Sequence, residues 1–314
     1  MLSYIIRRFL LLLPTLVVPL LLVFILLRLA PGDPAAVMLG ANATADQVEQ
    51  LREEMGLNEP LYVQLLVWLK QLATLDLGNS IFLKQPVIQA IAEHLETTIM
   101  LTAYALLIAI VVGMLAGIAS AVYRNKLIDQ AAMTGAMIGV SMPEFWFGLM
   151  LIFVFAVKLK WFPVAGYVPL SEGFIDCLRS LTLPAVSLGL VQAAFIARTT
   201  RSSMLDMIHE DFVRTAKAKG LSSRVITFKH ILRNAFIPIL TVIGITLGVL
   251  MGGAIAIETV FNLPGIGRMM INAVARRDYP LIQGIVLFIS VVFVFINLLV
   301  DLIYAWVDPR VKFK

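Results

Sequence analysis

Glu144 and Asp301 are the two acids that fall inside long apolar runs of this 314-residue sequence. An ionisable group at that depth is expensive, so it either serves a polar path or pairs with a group inside the protein. Glu144 follows Pro143, a residue that frees a backbone carbonyl and kinks helices. Asp301, one turn after Asn297, is placed either to partner an arginine at the inner surface or to serve a pathway. A second concentration of charge lies at 198–235, where eight basic residues gather in 38 positions around Gly220. Other chemistry finds no footing. His94, His209 and His230 are scattered without metal-ligand spacing, no serine has an evident base, and no G-x-x-x-x-G-K-[ST] phosphate loop occurs. The single Cys177 excludes an internal disulfide.

The elements that position these residues are membrane spans. Apolar residues make up 60% of the chain and charged residues 14%, with a mean hydropathy of +0.92. A soluble domain carries about 25% charged residues. Crossing a bilayer as a helix takes roughly 20 mostly apolar residues. Six such runs occur, near Phe9–Leu29, Ile99–Val122, Ala132–Val157, Leu181–Ala197, Phe236–Ile257 and Gln283–Tyr304. A β-barrel would alternate in short segments of about 10 residues, and these runs do not. The first run, after Arg7 and Arg8, exceeds the usual h-region of a signal peptide and reads as a retained span. With both termini cytoplasmic, fifteen basic and five acidic residues fall inside, against ten and thirteen outside. The pI of 9.4 then reflects topology and anionic lipid, not nucleic acid.

The chain thus reads as all-α: a tail and first span (1–29), an outer helical subdomain (30–98), and a five-span core (99–314) with the cytoplasmic loop 198–235. In the subdomain, Thr44 and Gln47 predict a capping box for a helix that stops at Gly56. A helix after Pro60 would bury Leu61, Leu65, Leu66, Leu69 and Leu72, and a third would run from Pro86 to Glu96. This subdomain either receives a soluble partner or braces the spans. In the inner loop, Ile208, Phe212, Ala216 and Leu221 mark an apolar stripe, so a helix, a turn at Gly220 and a second short helix are expected. Such a basic amphipathic segment either meets a partner or lies on anionic headgroups. Gly244, Gly248 and Gly252 form a small-residue ridge for helix packing, as do Gly113 with Gly117 and Gly135 with Gly139. Such ridges pack either two subunits or helices of one.

The inner loop reads Arg214-Thr-Ala-Lys-Ala-Lys-Gly220-Leu-Ser, followed by His230-Ile-Leu-Arg233-Asn234-Ala-Phe-Ile-Pro238. It resembles the EAA loop of ABC-importer permeases in the form used by dipeptide and oligopeptide permeases. Further matches are Leu29-Ala-Pro31-Gly32-Asp33-Pro34, Asp76-Leu-Gly78-Asn-Ser80, Ser141-Met-Pro143-Glu-Phe145, Glu258-Thr-Val-Phe261-Asn-Leu-Pro264-Gly265-Ile-Gly267-Arg268, Arg277-Asp278-Tyr279-Pro280 and Asp308-Pro309-Arg310. They follow the family's order along the whole chain. Arg214-Thr215-Ala216 stands where the general loop has Glu-Ala-Ala, so no role of that acid transfers.

The resemblance implies a type I ABC importer permease fold of six transmembrane helices in the bacterial inner membrane. It implies a homologous second permease, two cytoplasmic ATPase subunits that bind ATP and Mg, and a periplasmic or extracellular substrate-binding protein. The chain itself would hold no cofactor and catalyse nothing. Ala216, Lys217, Gly220, Leu221 and Ser222 would couple it to the ATPase, and Ser141, Pro143 and Glu144 would line the translocation path, Glu144 meeting a peptide amino group. Arg268, Arg276 and Arg277, basic residues on the outer side, would contact the binding protein or the outer subdomain, or remain solvated. Di- and oligopeptides are the implied substrates, with nickel, glutathione and oligosaccharides as alternatives in similar permeases. An ion-coupled secondary transporter predicts inverted repeats and more buried charge, and a membrane scaffold requires no coupling loop.

Overall fold

Backbone amides in lipid have no partner but their own chain, so helices are forced on apolar runs of this length. The computed structural model describes the backbone of residues 2–29, 32–40, 43–74 and 76–307, and within it side chains except at 2–13, 15, 38, 73, 253, 301 and 304–307. The side chains of Arg7, Arg8 and Asp301, and the residues Pro31 and Asp308-Pro309-Arg310, therefore lie outside the described part of the chain. Among the described residues the secondary structure is helical apart from one isolated bridge, Asn79 to Pro86.

The order is α1 (Leu2–Leu29), α2 (Pro34–Leu39), α3 (Ala45–Glu54), α4 (Leu61–Ala73), α5 (Val87–Val122), α6 (Leu127–Ser141) and α7 (Glu144–Leu151), which continues as a π-helix over Ile152–Lys158. Then come α8 (Phe174–Ile208), α9 (Asp211–Ala218), α10 (Ser223–Val225), a π-helical stretch over Ile226–Ile231, α11 (Leu232–Val260), α12 (Ile266–Arg276) and α13 (Tyr279–Val307). Four described stretches are long and apolar enough to cross a membrane, in α5, α8, the run from α10 through α11, and α13. The pair α6 and α7 makes a fifth, bent by 104°. The sixth expected span falls in α1, whose described apolar stretch is Leu16–Leu29.

Two boundaries differ from the sequence reading. The helix expected at 86–96 and the span expected from Ile99 are one 36-residue helix, α5, because nothing between Glu96 and Ile99 interrupts the hydrogen-bond ladder. At 1.5 Å per residue it is about 54 Å long, well beyond the roughly 30 Å of hydrocarbon. Likewise α8 runs past Ala197 to Ile208, so Arg198 and Arg201 belong to a span's extension and the inner loop proper begins at His209.

The contacts divide the chain into two compact units, residues 1–96 with 265–294 and residues 97–264 with 295–314. In the first unit, the Thr44 capping box forms as expected, with Gln47 N–H donating to Thr44 Oγ1 and Thr44 N–H to Gln47 Oε1. Helix α4 presents Leu65, Trp68 and Leu72 to Leu20 and Phe24 of α1, and Phe24 stacks on Trp68 at 5.4 Å. Leu61, Leu66 and Leu69, expected on the buried face, are exposed: Trp68 fixes the rotation of α4 and turns them outward.

In the second unit α8 is the central element, with 78% of its most apolar window buried against 33% for α5. Backbone meets backbone where α5 crosses it. A Cβ on Gly117 would lie 2.6 Å from Ala197 O, and one on Gly189 of α8 would lie 2.7 Å from Ala105 O. The Gly113/Gly117 ridge thus packs helices of one chain, as small-residue ridges do in lipid. Gly244 closes on the Val300 side chain, whereas Gly135 and Gly252 face open space, and Gly248 is half-buried.

Candidate coupling segment and translocation path

Helix α8 ends at Ile208, and a two-residue turn through His209 and Glu210 starts α9. Val213 and Ala216 of α9 are buried among Ala121, Met204, Ile226, Ile231, Ala235 and Ile239, with Ile208 and Phe212 packed alongside. The opposite face carries Arg214 and Lys217 in solvent. The helix stops because Gly220 turns left-handed at φ +72°, its N–H reaching Lys217 O and that of Leu221 reaching Ala216 O at 3.3 Å. No atom crowds a Cβ at Gly220, so the conformation and not space demands glycine. Residues 217–225 are all exposed. Lys217, Gly220, Leu221 and Ser222 therefore form one accessible tip, while Ala216 points into the chain's own core.

The bent span breaks at Met142-Pro143. Proline holds the preceding residue extended, and Met142 has φ −90° and ψ 133°. Glu144 opens α7 half-buried, and its carboxylate accepts from Gln192 Nε2 of α8 at 3.3 Å. Ser141 and Pro143 are exposed, the Ser141 hydroxyl returning to Met137 O. Beside the break lies an apolar groove of about 390 Å³ whose lining includes Ala116, Gly135, Gly139, Met142, Phe147 and Leu190.

The burial of three acids, Asp129, Glu258 and Asp278, escaped the sequence reading. Asp129, counted there as a loop acid, is buried at the start of α6 and takes both Arg201 Nε (2.7 Å) and Nη2 (2.8 Å). Asn125 N–H donates to it at 2.9 Å, and the Ser120 hydroxyl completes the set. Glu258, counted as an outer acid, is buried on α11 and accepts from Thr98 Oγ1 at 2.7 Å. Asp129 and Arg201 stand 72 positions apart, and no spacing rule joins them. Glu258 had one available signal, its place at the end of an apolar run.

In the first unit, three of the motif segments prove to be bonded to one another. Asp278 is buried and accepts from Ser80 Oγ at 2.6 Å and Phe82 N–H at 3.1 Å. Arg277, left-handed at the end of α12, donates to Gly32 O at 2.7 Å. Tyr279 donates to Leu27 O at 2.5 Å. Arg276 is exposed and lies 3.6 Å over the Phe82 ring, and Arg268 is half-buried. Arg276 and Arg277 thus touch the chain's own outer segment.

The sequence model for binding-protein-dependent transport system inner membrane components matches residues 109–313, and that for the N-terminal part of such components matches residues 1–102. A probable peptide ABC transporter permease of Sinorhizobium fredii is 44% identical over 310 residues, 99% of each chain. A glutathione transport system permease of Escherichia coli is 42% identical over 314 residues, 100% of each chain. Among solved structures, an inward-facing methionine ABC transporter is similar with a TM-score of 0.58 at 19% identity, over 70% of this chain and 97% of that one. That likeness concerns the fold, the type I importer permease fold expected from the motifs. The chain is a multi-pass membrane protein of the family of binding-protein-dependent transport system inner membrane components.

Proposed function

We propose that this chain forms one half of the pore of an ATP-driven importer of di- and oligopeptides in the bacterial inner membrane, with both termini cytoplasmic. The observation that carries the proposal is the exposed tip at Lys217, Gly220, Leu221 and Ser222, held by α9 on the chain's own buried core. A rigid, solvent-facing knob of this kind suits a groove on a soluble partner. Two ATPase subunits would bind ATP and Mg, hydrolyse the nucleotide on their own polypeptides, and press on α9. Their closure would shift the population of pore states through those contacts.

A homologous second permease completes the pore, and the open glycines Gly135 and Gly252 offer it a close-packing face, with Gly248 between Gly252 and the internally packed Gly244. The outer segment 30–98, together with Arg268 and Arg276, receives the substrate-binding protein, while Arg277 braces the loop at Gly32. Ser141, Pro143 and Glu144 line the path, where the half-exposed Glu144 carboxylate meets the ammonium group of a passing peptide. Peptide as cargo is supported by the name of the Sinorhizobium relative. Glutathione is the second reading, supported by the Escherichia coli relative at nearly the same identity.

The test is uptake in a strain lacking this chain, following depletion of mixed di- and oligopeptides, glutathione and nickel from the medium. Selective loss of peptide uptake is expected. Loss of glutathione or nickel uptake alone would overturn the peptide assignment and keep the mechanism.

A further inference from the structure

The Asp129 cluster has no part in the reading above, yet it sits where coupling must pass. Arg201 lies two turns before the end of α8 at Ile208, after which α9 begins at Asp211. Val213 and Ala216 of α9 share one buried cluster with Ala121, beside Ser120, and Met204, one turn after Arg201, and α9 packs on the π-helical stretch Ile226–Ile231 of the same cluster. Helix α9 therefore shares a core with the elements that hold the Asp129 bonds.

The carboxylate of Asp129 receives two bonds from Arg201, one from the Asn125 amide and one from the Ser120 hydroxyl. These donors come from α8, from the α5–α6 turn and from the last turns of α5, and the acceptor belongs to the first turn of α6. Helix α6 packs along α8, and these bonds fix its rotation and height at the Leu127 end of that packing. Just past the far end of α6, Glu144 meets α8 through the long 3.3 Å bond from Gln192. A buried ion pair is a poor source of net stability compared with apolar packing of the same volume, and its best-attested use is to fix geometry. A bidentate guanidinium fixes direction as well as distance.

We infer that Asp129 and Arg201 are positioning residues that make α6, the end of α8 and the coupling helix α9 one rigid body during the ATP cycle. Movement imposed on α9 then arrives at the break beside Pro143 instead of dissipating in the α5–α6 turn. The inference rests on the coupling role proposed for α9.

The test uses the assembled importer with Cys177→Ala and spin labels on Met137→Cys of α6 and Thr215→Cys of α9, both exposed positions. Distances are measured with and without ATP and vanadate. In the otherwise unaltered chain the distance should hold within about 2 Å between the two conditions, and in Arg201→Met it should move by on the order of 5 Å, the scale of helix slippage. Arg201→Lys, which keeps the charge and loses the fork, should fall between them. A role in stability alone would lower the yield of assembled complex without making the distance respond to ATP. An ATP-dependent distance in the unaltered chain, or an unresponsive one in Arg201→Met, overturns the inference. Cross-linking of Ser222→Cys to the ATPase in the same preparation separates the two failures: if it persists while Arg201→Met stays unresponsive, only the rigid-body claim falls, and if it is absent the coupling role falls as well.

Discussion

Two carboxylates, one at the start of α6 and one at the start of α7, tie the bent span to the same helix, and they do so very differently. At Asp129 the acid is buried and bound by charge-assisted bonds of 2.7 and 2.8 Å to Arg201. Past the other end, Glu144 is half-buried and meets Gln192 at 3.3 Å, next to a backbone broken by 104°. Two short parallel bonds from a guanidinium fork are stronger and far more directional than one long bond from a neutral amide. The difference separates a joint built to stay fixed from a carboxylate left available to something else.

The comparison breaks most sharply at the fixed end. Asp129→Ala leaves a mostly buried guanidinium without its partner, and removing one member of such a pair costs about 3–5 kcal/mol. The low end is expected here because the Arg201 side chain keeps 27% of its exposure. Thermal unfolding of the detergent-solubilised complex measures it. Ser120→Ala removes one hydroxyl donor from the same charged carboxylate and should cost about 1.5–3 kcal/mol in the same assay, toward the low end because three donors remain. At the loose end, Glu144→Gln should change stability by less than about 1 kcal/mol, since it replaces one long hydrogen bond by another. Its effect should appear in uptake, which is expected to fall for peptides with a free amino terminus and not for amino-blocked ones. Between the ends, Gly135→Ala meets open space. It should be neutral or stabilise α6 by up to about 1 kcal/mol through helix propensity. Reduced assembly with the second permease would then mark Gly135 as a subunit contact.

Local chemistry was legible in the sequence, and long-range pairing was not. Thr44 with Gln47, Gly220 and Pro143 act on the backbone within a few residues, so their types alone announce a cap, a left-handed turn and a break. The spans were legible because lipid penalises every unpaired amide. The unbroken length of α5 was hidden by Glu93, His94 and Glu96, whose polarity suggests a boundary although none of them stops a helix. The buried face of α4 was misjudged because five leucines outweighed one tryptophan, whose size sets the packing. Asp278 with Ser80 stand 198 positions apart and Glu258 with Thr98 stand 160 apart, and only the fold brings them together. The sequence singled out Asp76–Ser80 and Arg277–Pro280 as separate motifs, and the structure explains both as halves of one hydrogen-bonded junction.

The central claim is that the exposed tip beyond α9 docks on the ATPase, and single-cysteine cross-linking along that segment tests it most directly. With Cys177→Ala as background, cysteines at Lys217, Leu221 and Ser222 should cross-link to the ATPase subunit, while one at the buried Val213 should not. Cross-linking at Val213, or none at the three tip positions in an assembled and ATP-hydrolysing complex, would contradict the account.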